Sequence, residues 1–298
     1  MTLTAFILIF ISVFLHAGWN FLSKKGNPSG AFYLTMAIVA SIATMVFFFI
    51  SDIPLGDLPL KFWGLLGCSL CFEMLYSLGL AYGYRKADIS LIYPLGRATP
   101  VLLVAFVTMI FGLGKTPTAL ALCGMAVISL GCILLPLKSF HEFSLKSYCT
   151  KALLWVLVIA VGTSGYTIVD SQAGKILQNF TQDSSFVRSM LYLFFIEIGQ
   201  VVTLAAYVAA VPWERRELVK VLKEPLYPTI SGIFSAVAYG LVLVAMGFVS
   251  NVSYVQAFRQ LSLPLGVFAG IVFLKESPAK PKLVGVAMIV TGLIMTVL

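Results

Sequence analysis

Ten stretches of about 20 predominantly apolar residues follow one another along the chain, and no other feature limits its fold as strongly. They run approximately over 3–23, 30–51, 62–84, 89–112, 117–136, 151–173, 186–211, 227–249, 252–274 and 281–298. A helix of about 20 residues crosses a hydrocarbon core of about 30 Å. In that core every backbone N–H and C=O must be satisfied by the protein itself, which leaves α-helices and closed β-barrels as spanning structures. Barrel strands are short and alternate polar with apolar residues. Val101–Phe111 and Leu153–Val161 do not alternate. The expected fold is therefore all-α and integral to a membrane, with ten transmembrane helices. Composition agrees: 60% of the 298 residues are hydrophobic and 11% charged, against about 25% charged in a soluble domain. The first stretch lacks the positive leading region of a secretory signal and nine more follow it, so it reads as the first helix. The longest connectors are Leu137–Thr150 and Pro212–Pro225.

The net charge of +8 reflects topology rather than nucleic-acid binding. Of the 20 Lys and Arg residues, Arg97 and Arg259 fall inside spans. Only Lys61, Lys115, Lys175 and Arg188 belong to one face of the membrane, and the other 14 belong to the opposite face. Cytoplasmic connectors are enriched in Lys and Arg, so both termini are expected on the non-cytoplasmic side. The five cysteines include Cys68-x-x-Cys71 inside the third span. With no second pair and no nearby His, these read as small packing residues rather than a metal or redox site.

The second half of the chain echoes the first. Pro117, Gly124 and Gly131 are spaced by seven, and Pro278, Gly285 and Gly292 repeat that spacing. Pro100 corresponds to Pro264, Gly83 to Gly247, and Gly18-Trp19 to Gly165-Tyr166. Halves of five helices each must have opposite orientations, because an odd number of crossings reverses the second half. Two five-helix inverted repeats are an architecture of alternating-access carriers. The expected organisation is a first repeat over 1–136, a connecting loop over 137–150 and a second repeat over 151–298.

Trp19-Asn20 in the first helix, Tyr93-Pro94-Leu95-Gly96-Arg97-Ala98-Thr99-Pro100 in the fourth, and the glycine-spaced fifth and tenth helices resemble the EamA-type members of the drug/metabolite transporter superfamily. The resemblance spans essentially the whole chain. Members often carry an acidic residue where the fourth helix of a repeat exits; Lys275-Glu276 fits this in the second half, while Leu113-Gly114-Lys115 departs from it in the first. Members are usually drawn with cytoplasmic termini, opposite to the charge count here.

The chemistry is expected at polar groups that cannot reach an interface. An ionised side chain deep in a span costs roughly 2.5–3.5 kcal/mol on insertion scales. Glu73, Arg97, Glu197 and Arg259 lie near span midpoints, two acidic and two basic. One reading pairs them as buried ion pairs that lock helices together. The other assigns Arg97 first, then Arg259, to an anionic group of a substrate, since guanidinium is a fork suited to carboxylate or phosphate. Glu73 or Glu197 would then carry a coupling proton. His16, Trp19 and Asn20 share one helix face and, with Tyr166 and Asp170, are further candidates to line a cavity, Trp19 being equally suited to an interfacial anchor. Tyr76, Tyr82, Tyr93, Tyr239 and Tyr254 are aromatic candidates, and Gln256 and Gln260 would extend a polar site around Arg259. Pro94, Pro100 and Pro264 should kink their helices. The glycines suit close helix packing, with a homodimer seam as a second use.

The leading function is a secondary active transporter of a small polar metabolite, such as an amino acid or organic acid, working by alternating access through a central cavity in the inner membrane. A flippase for a lipid-linked substrate is the alternative. An enzyme is not expected: neither H-E-x-x-H nor G-x-S-x-G occurs, His16 and His141 are the only histidines, and no phosphate-binding G-x-x-x-x-G-K-[ST] is present. No cofactor and no metal are expected; the partners are the substrate and the bilayer. A reporter fused after Leu298 should behave as non-cytoplasmic; enzymatic activity of a cytosol-dependent reporter there would overturn the charge-based topology.

Overall fold

The computed structural model describes residues 2–86, 89–142, 151–274 and 279–298. Cys149, Pro278 and the Lys275-Glu276 pair lie outside them. Twelve α-helices are described: α1 (Leu3–Lys25), α2 (Gly30–Ile50), α3 (Leu60–Lys86), α4 (Ile89–Ile110), α5 (Ala119–Leu134), α6 (Lys151–Leu177), α7 (Ser185–Ala210), α8 (Pro212–Lys223), α9 (Leu226–Met246), α10 (Val252–Phe258), α11 (Ser262–Leu274) and α12 (Lys280–Val297). No strand is present among the described residues. Among the described residues eight helices are long and apolar enough to cross a membrane. Their outer surfaces carry large apolar side chains, such as Phe49, Phe106 and Val202, each more than 60% exposed, as contact with lipid tails requires. The chain is an all-helical, multi-pass membrane protein.

Two of the ten expected spans differ from a plain crossing. The fifth, α5, has 16 residues, about 24 Å of helix. The ninth is broken: α10 ends at Phe258, a 3₁₀ turn covers Arg259–Leu261, and α11 begins at Ser262. Pro264 supplies the reason. It has no N–H to give to the carbonyl four residues back, and its ring crowds that carbonyl. Pro94 and Pro100, by contrast, sit inside a continuous α4.

The connector over 212–225 is largely helical rather than a loop. Pro212 starts α8 at a position where a missing N–H costs nothing. Glu214 of α8 is fully buried and accepts from the backbone N–H groups of Gly30 and Ala31, both at 2.9 Å. It thereby satisfies the start of α2. Glu217 accepts from Asn27 at 3.1 Å, in the turn between α1 and α2.

The principal packing partners join distant parts of the chain: α3 with α6, α5 with α12, α1 with α9, and α2 with α7. The α5–α12 crossing is antiparallel and built on glycine. A Cβ on Gly124 would meet the carbonyl oxygen of Gly292 at 2.5 Å, and one on Gly292 would meet that of Gly124 at 2.5 Å. Gly131 and Gly285 stand in the same reciprocal relation at 2.7 Å. All four are buried within one chain, so they form an intramolecular contact and not a homodimer seam. Cys68 and Cys71 are exposed rather than packed between helices. Because backbone atoms block the added methyl, Gly124→Ala should lower stability by about 1–3 kcal/mol, read as a drop in melting temperature in detergent. Gly64→Ala, where a Cβ meets nothing within 4 Å, should leave it unchanged or raise it; equal effects would contradict the close crossing.

Candidate functional site

The helix break sets up the polar interior. The Arg259 carbonyl accepts from Ser262 Oγ at 3.0 Å and from the Arg97 guanidinium at 2.8 Å. Arg97, reaching across from α4, also donates through Nε to Gln260 Oε1 at 3.2 Å and to the Tyr93 hydroxyl at 3.3 Å. Its guanidinium lies over the Tyr93 ring, 5.2 Å from the centroid. Arg97 thus fastens α4 to the interrupted ninth span. Gln260 is fully buried and donates to the Gln256 carbonyl at 2.9 Å.

Arg259 is 2% exposed. It contacts His16 Nε2 at 2.6 Å, the Tyr166 hydroxyl at 3.3 Å and Gln256 Oε1 at 3.4 Å. Guanidinium can only donate, so His16 accepts at Nε2 and carries its proton on Nδ1. The 3.4 Å approach of Trp19 Nε1 to that Nδ1 is then a weak edge contact. Asn20 does not reach a cavity; it donates to the His16 carbonyl at 2.7 Å and accepts from Tyr84 at 2.8 Å.

A central cavity with about 620 Å³ of non-atom space, its mouth included, opens beside this cluster. Six helices wall it: α1 with His16 and Trp19, α2 with Tyr33, α3 with Glu73 and Tyr76, α6 with Tyr166, α7 with Glu197 and Gln200, and α9 with Tyr239. Glu73 stands at the centre of the 27-residue α3 and Glu197 at the centre of the 26-residue α7. Trp19 is 3% exposed and is a cavity wall rather than an interfacial anchor. A smaller space beside it is lined by Arg97, Arg259, Tyr93 and Gln256, with Tyr76 and Tyr166 shared by both. Tyr82 and Tyr254 line neither.

The buried ion pairs are not made. Among the described residues one ion pair falls within 4.0 Å, Lys220–Glu217 at 2.7 Å near the surface. The reason is geometric. Both arginines are occupied on the far side of Tyr76 and Tyr166 by the helix break and its neutral partners, while Glu73 and Glu197 face the central cavity. Asp170, 1% exposed, is also not paired with a cation: it accepts from the Tyr192 hydroxyl at 2.8 Å and from the Tyr239 hydroxyl. Asp170 and Tyr192 line an outer cavity of about 440 Å³ of non-atom space, which includes Lys175, Gln178, Arg188 and Gly247 near the ends of α6, α7 and α9. Tyr239 lines the central cavity and Asp170 the outer one, so their hydrogen bond lies between the two.

Gln200, Ser77 and Ser235 of the cavity wall were not singled out from the sequence. Gln200 carried a usable signal, since it lies three residues after Glu197 on the same helix face.

No protein family and no curated protein matches the chain. A solved structure described only as the crystal structure of a protein is similar to it, with a TM-score of 0.70 over 99% of this chain and 96% of that one, at 12% identity. At that identity the likeness speaks for the fold alone: this arrangement of helices occurs in a protein solved by crystallography.

Proposed function

We propose that this chain is a secondary active transporter of a small polar metabolite, such as an amino acid or organic acid, that works by alternating access through the central cavity. We further propose an inner-membrane location and membership of the drug/metabolite transporter superfamily, of EamA type. The observation that carries the reading is a polar cavity at mid-helix depth, with carboxylates facing it that no protein cation neutralises. Groups so costly to hold in a membrane are kept for a purpose such as binding or a proton relay. Glu73 and Glu197 are the groups on which proton coupling would act.

Two further features support a carrier of ten spans in two inverted repeats. The cavity is walled by the first three spans of each half, α1, α2 and α3 with α6, α7 and α9. Exchanging the halves also preserves the helix partners. The α1–α9 contact becomes the α6–α3 contact, while α2–α7 and α5–α12 map onto themselves. Gly18 packs against Phe234 of α9, and its counterpart Gly165 packs against Phe72 of α3. The reciprocal glycines of α5 and α12 obey the same exchange. Substrate sites in such carriers lie near the midplane at the repeat interface.

The test is uptake of pooled radiolabelled metabolites into proteoliposomes preloaded with the same pool, against protein-free liposomes. Saturable, protein-dependent accumulation of at least one compound, reduced at least about tenfold by Glu73→Gln in protein that still elutes as a single species, is the expected result. The loss of one charge-assisted contact sets that scale. Accumulation no greater than in empty liposomes across the pool would contradict transport.

A further inference from the structure

We propose that the ligand of the central cavity carries a protonated amino group, making the substrate a small organic ammonium compound. The inference rests on the reading of this cavity as the substrate site and reverses the sequence-based expectation of an anion held by Arg97.

The cavity wall carries neutral donors but, among the described residues, no Lys or Arg. No described residue pairs with or donates to the carboxylates of Glu73 or Glu197. Gln200 lines the same wall, is 5% exposed, and gives its Nε2 to the Leu70 carbonyl at 3.1 Å, while its Oε1 accepts nothing. The Gln200 acceptor is buried without a donor, which is unfavourable, and the half-buried carboxylates of Glu73 and Glu197 face the same cavity. Acceptors from α3 and α7 in one cavity suit a ligand with several N–H groups, and an ammonium group supplies three donors and no acceptor.

Charge points the same way. Among the described residues the central cavity is walled by the carboxylates of Glu73 and Glu197 and by no guanidinium or ammonium group. In their ionised forms these two leave negative charge in the cavity that an ammonium would offset. The terminal nitrogens of the guanidiniums are engaged by the Arg259 carbonyl, Tyr93, His16, Tyr166 and Gln256, and Arg97 Nε by Gln260; Arg259 Nε has no partner, but Arg259 lines the smaller space rather than the central cavity.

The remaining wall favours an organic cation over an inorganic one. Trp19, Tyr76, Tyr166 and Tyr239 form an edge-to-face chain with successive centroids 6.4, 5.5 and 5.4 Å apart. Aromatic rings attract cations and pack against their carbon frame. A bare divalent metal needs about six oxygen ligands, and no three His, Cys, Asp or Glu residues cluster among the described residues.

The test is the melting temperature of purified protein in detergent with n-butylamine, n-butanol and butyrate, matched in length, at equal ionic strength near pH 7. A ligand bound only by the folded state raises the melting temperature. Butylamine alone should raise it, and Glu73→Gln and Glu197→Gln should each weaken that effect about tenfold in ligand concentration. The wild-type comparison stands even where a variant fails to fold. Stabilisation by butyrate rather than butylamine, by sodium chloride without any amine, or by none of the three would overturn the proposal. Flux separates this failure from that of the transporter reading: proteoliposomes that accumulate carboxylates but no amine leave transport standing, and an amine that binds without any flux leaves the site standing without transport.

Discussion

The interior depends on how one interrupted helix is satisfied within the membrane. The turn at Arg259–Leu261 exchanges α-helical bonding for 3₁₀ bonding, the Ser262 backbone N–H and Oγ donating to the Arg259 carbonyl, in a medium where backbone groups must find partners within the protein. Arg97 adds a charged donor to that same carbonyl at 2.8 Å. Once committed there, Arg97 is tied to Gln260 and Tyr93, and the Arg259 side chain turns towards His16, Tyr166 and Gln256. The partners of both guanidiniums are neutral, Arg259 Nε alone going unpartnered, and both arginines line the smaller space that shares Tyr76 and Tyr166 with the central cavity. The carboxylates of α3 and α7 are left facing the cavity without a protein counter-charge. The arginines thus shape the polarity of the cavity by their absence from its wall.

This arrangement explains which parts of the structure could be read from the sequence. The all-helical, multi-pass fold follows from apolar runs long enough to cross a bilayer, a constraint that leaves few alternatives. The glycine spacing around Gly124, Gly131, Gly285 and Gly292 pointed to a close contact, and it is borne out: a Cβ on any of the four would stand 2.5–2.7 Å from its partner's carbonyl oxygen. His16, Trp19, Tyr166, Glu73 and Glu197 were legible as polar residues in apolar helices and meet at one cavity. The pairing of charges was not legible. Counting two acids and two bases suggested ion pairs, but the count left out Asp170 and could not anticipate that a backbone carbonyl would compete for Arg97. Asn20 similarly looked like a cavity residue, yet it serves Tyr84. The helix α8 was hidden because it is short and charged, and Glu214 reveals its purpose only through its contacts with the start of α2.

The two cavities adjoin at one hydrogen bond. The central one is bounded by Tyr239, the outer one by Asp170 and Tyr192, and the Asp170–Tyr239 hydrogen bond lies where they meet. Glycines at the α5–α12 and α3–α6 crossings allow close backbone approach, which packs helices in lipid where the hydrophobic effect does not drive association.

The most direct measurement is side-specific labelling with a membrane-impermeant maleimide in a background lacking all five cysteines, with vesicles of both orientations. Ser77→Cys reports on the central cavity and Ser189→Cys on the outer one. The account predicts that Ser189→Cys reacts from one face of the membrane and that Ser77→Cys is protected from that face. Equal labelling of Ser77→Cys from both faces would mean a continuous pore, and would contradict a carrier whose two cavities are separated at Asp170 and Tyr239.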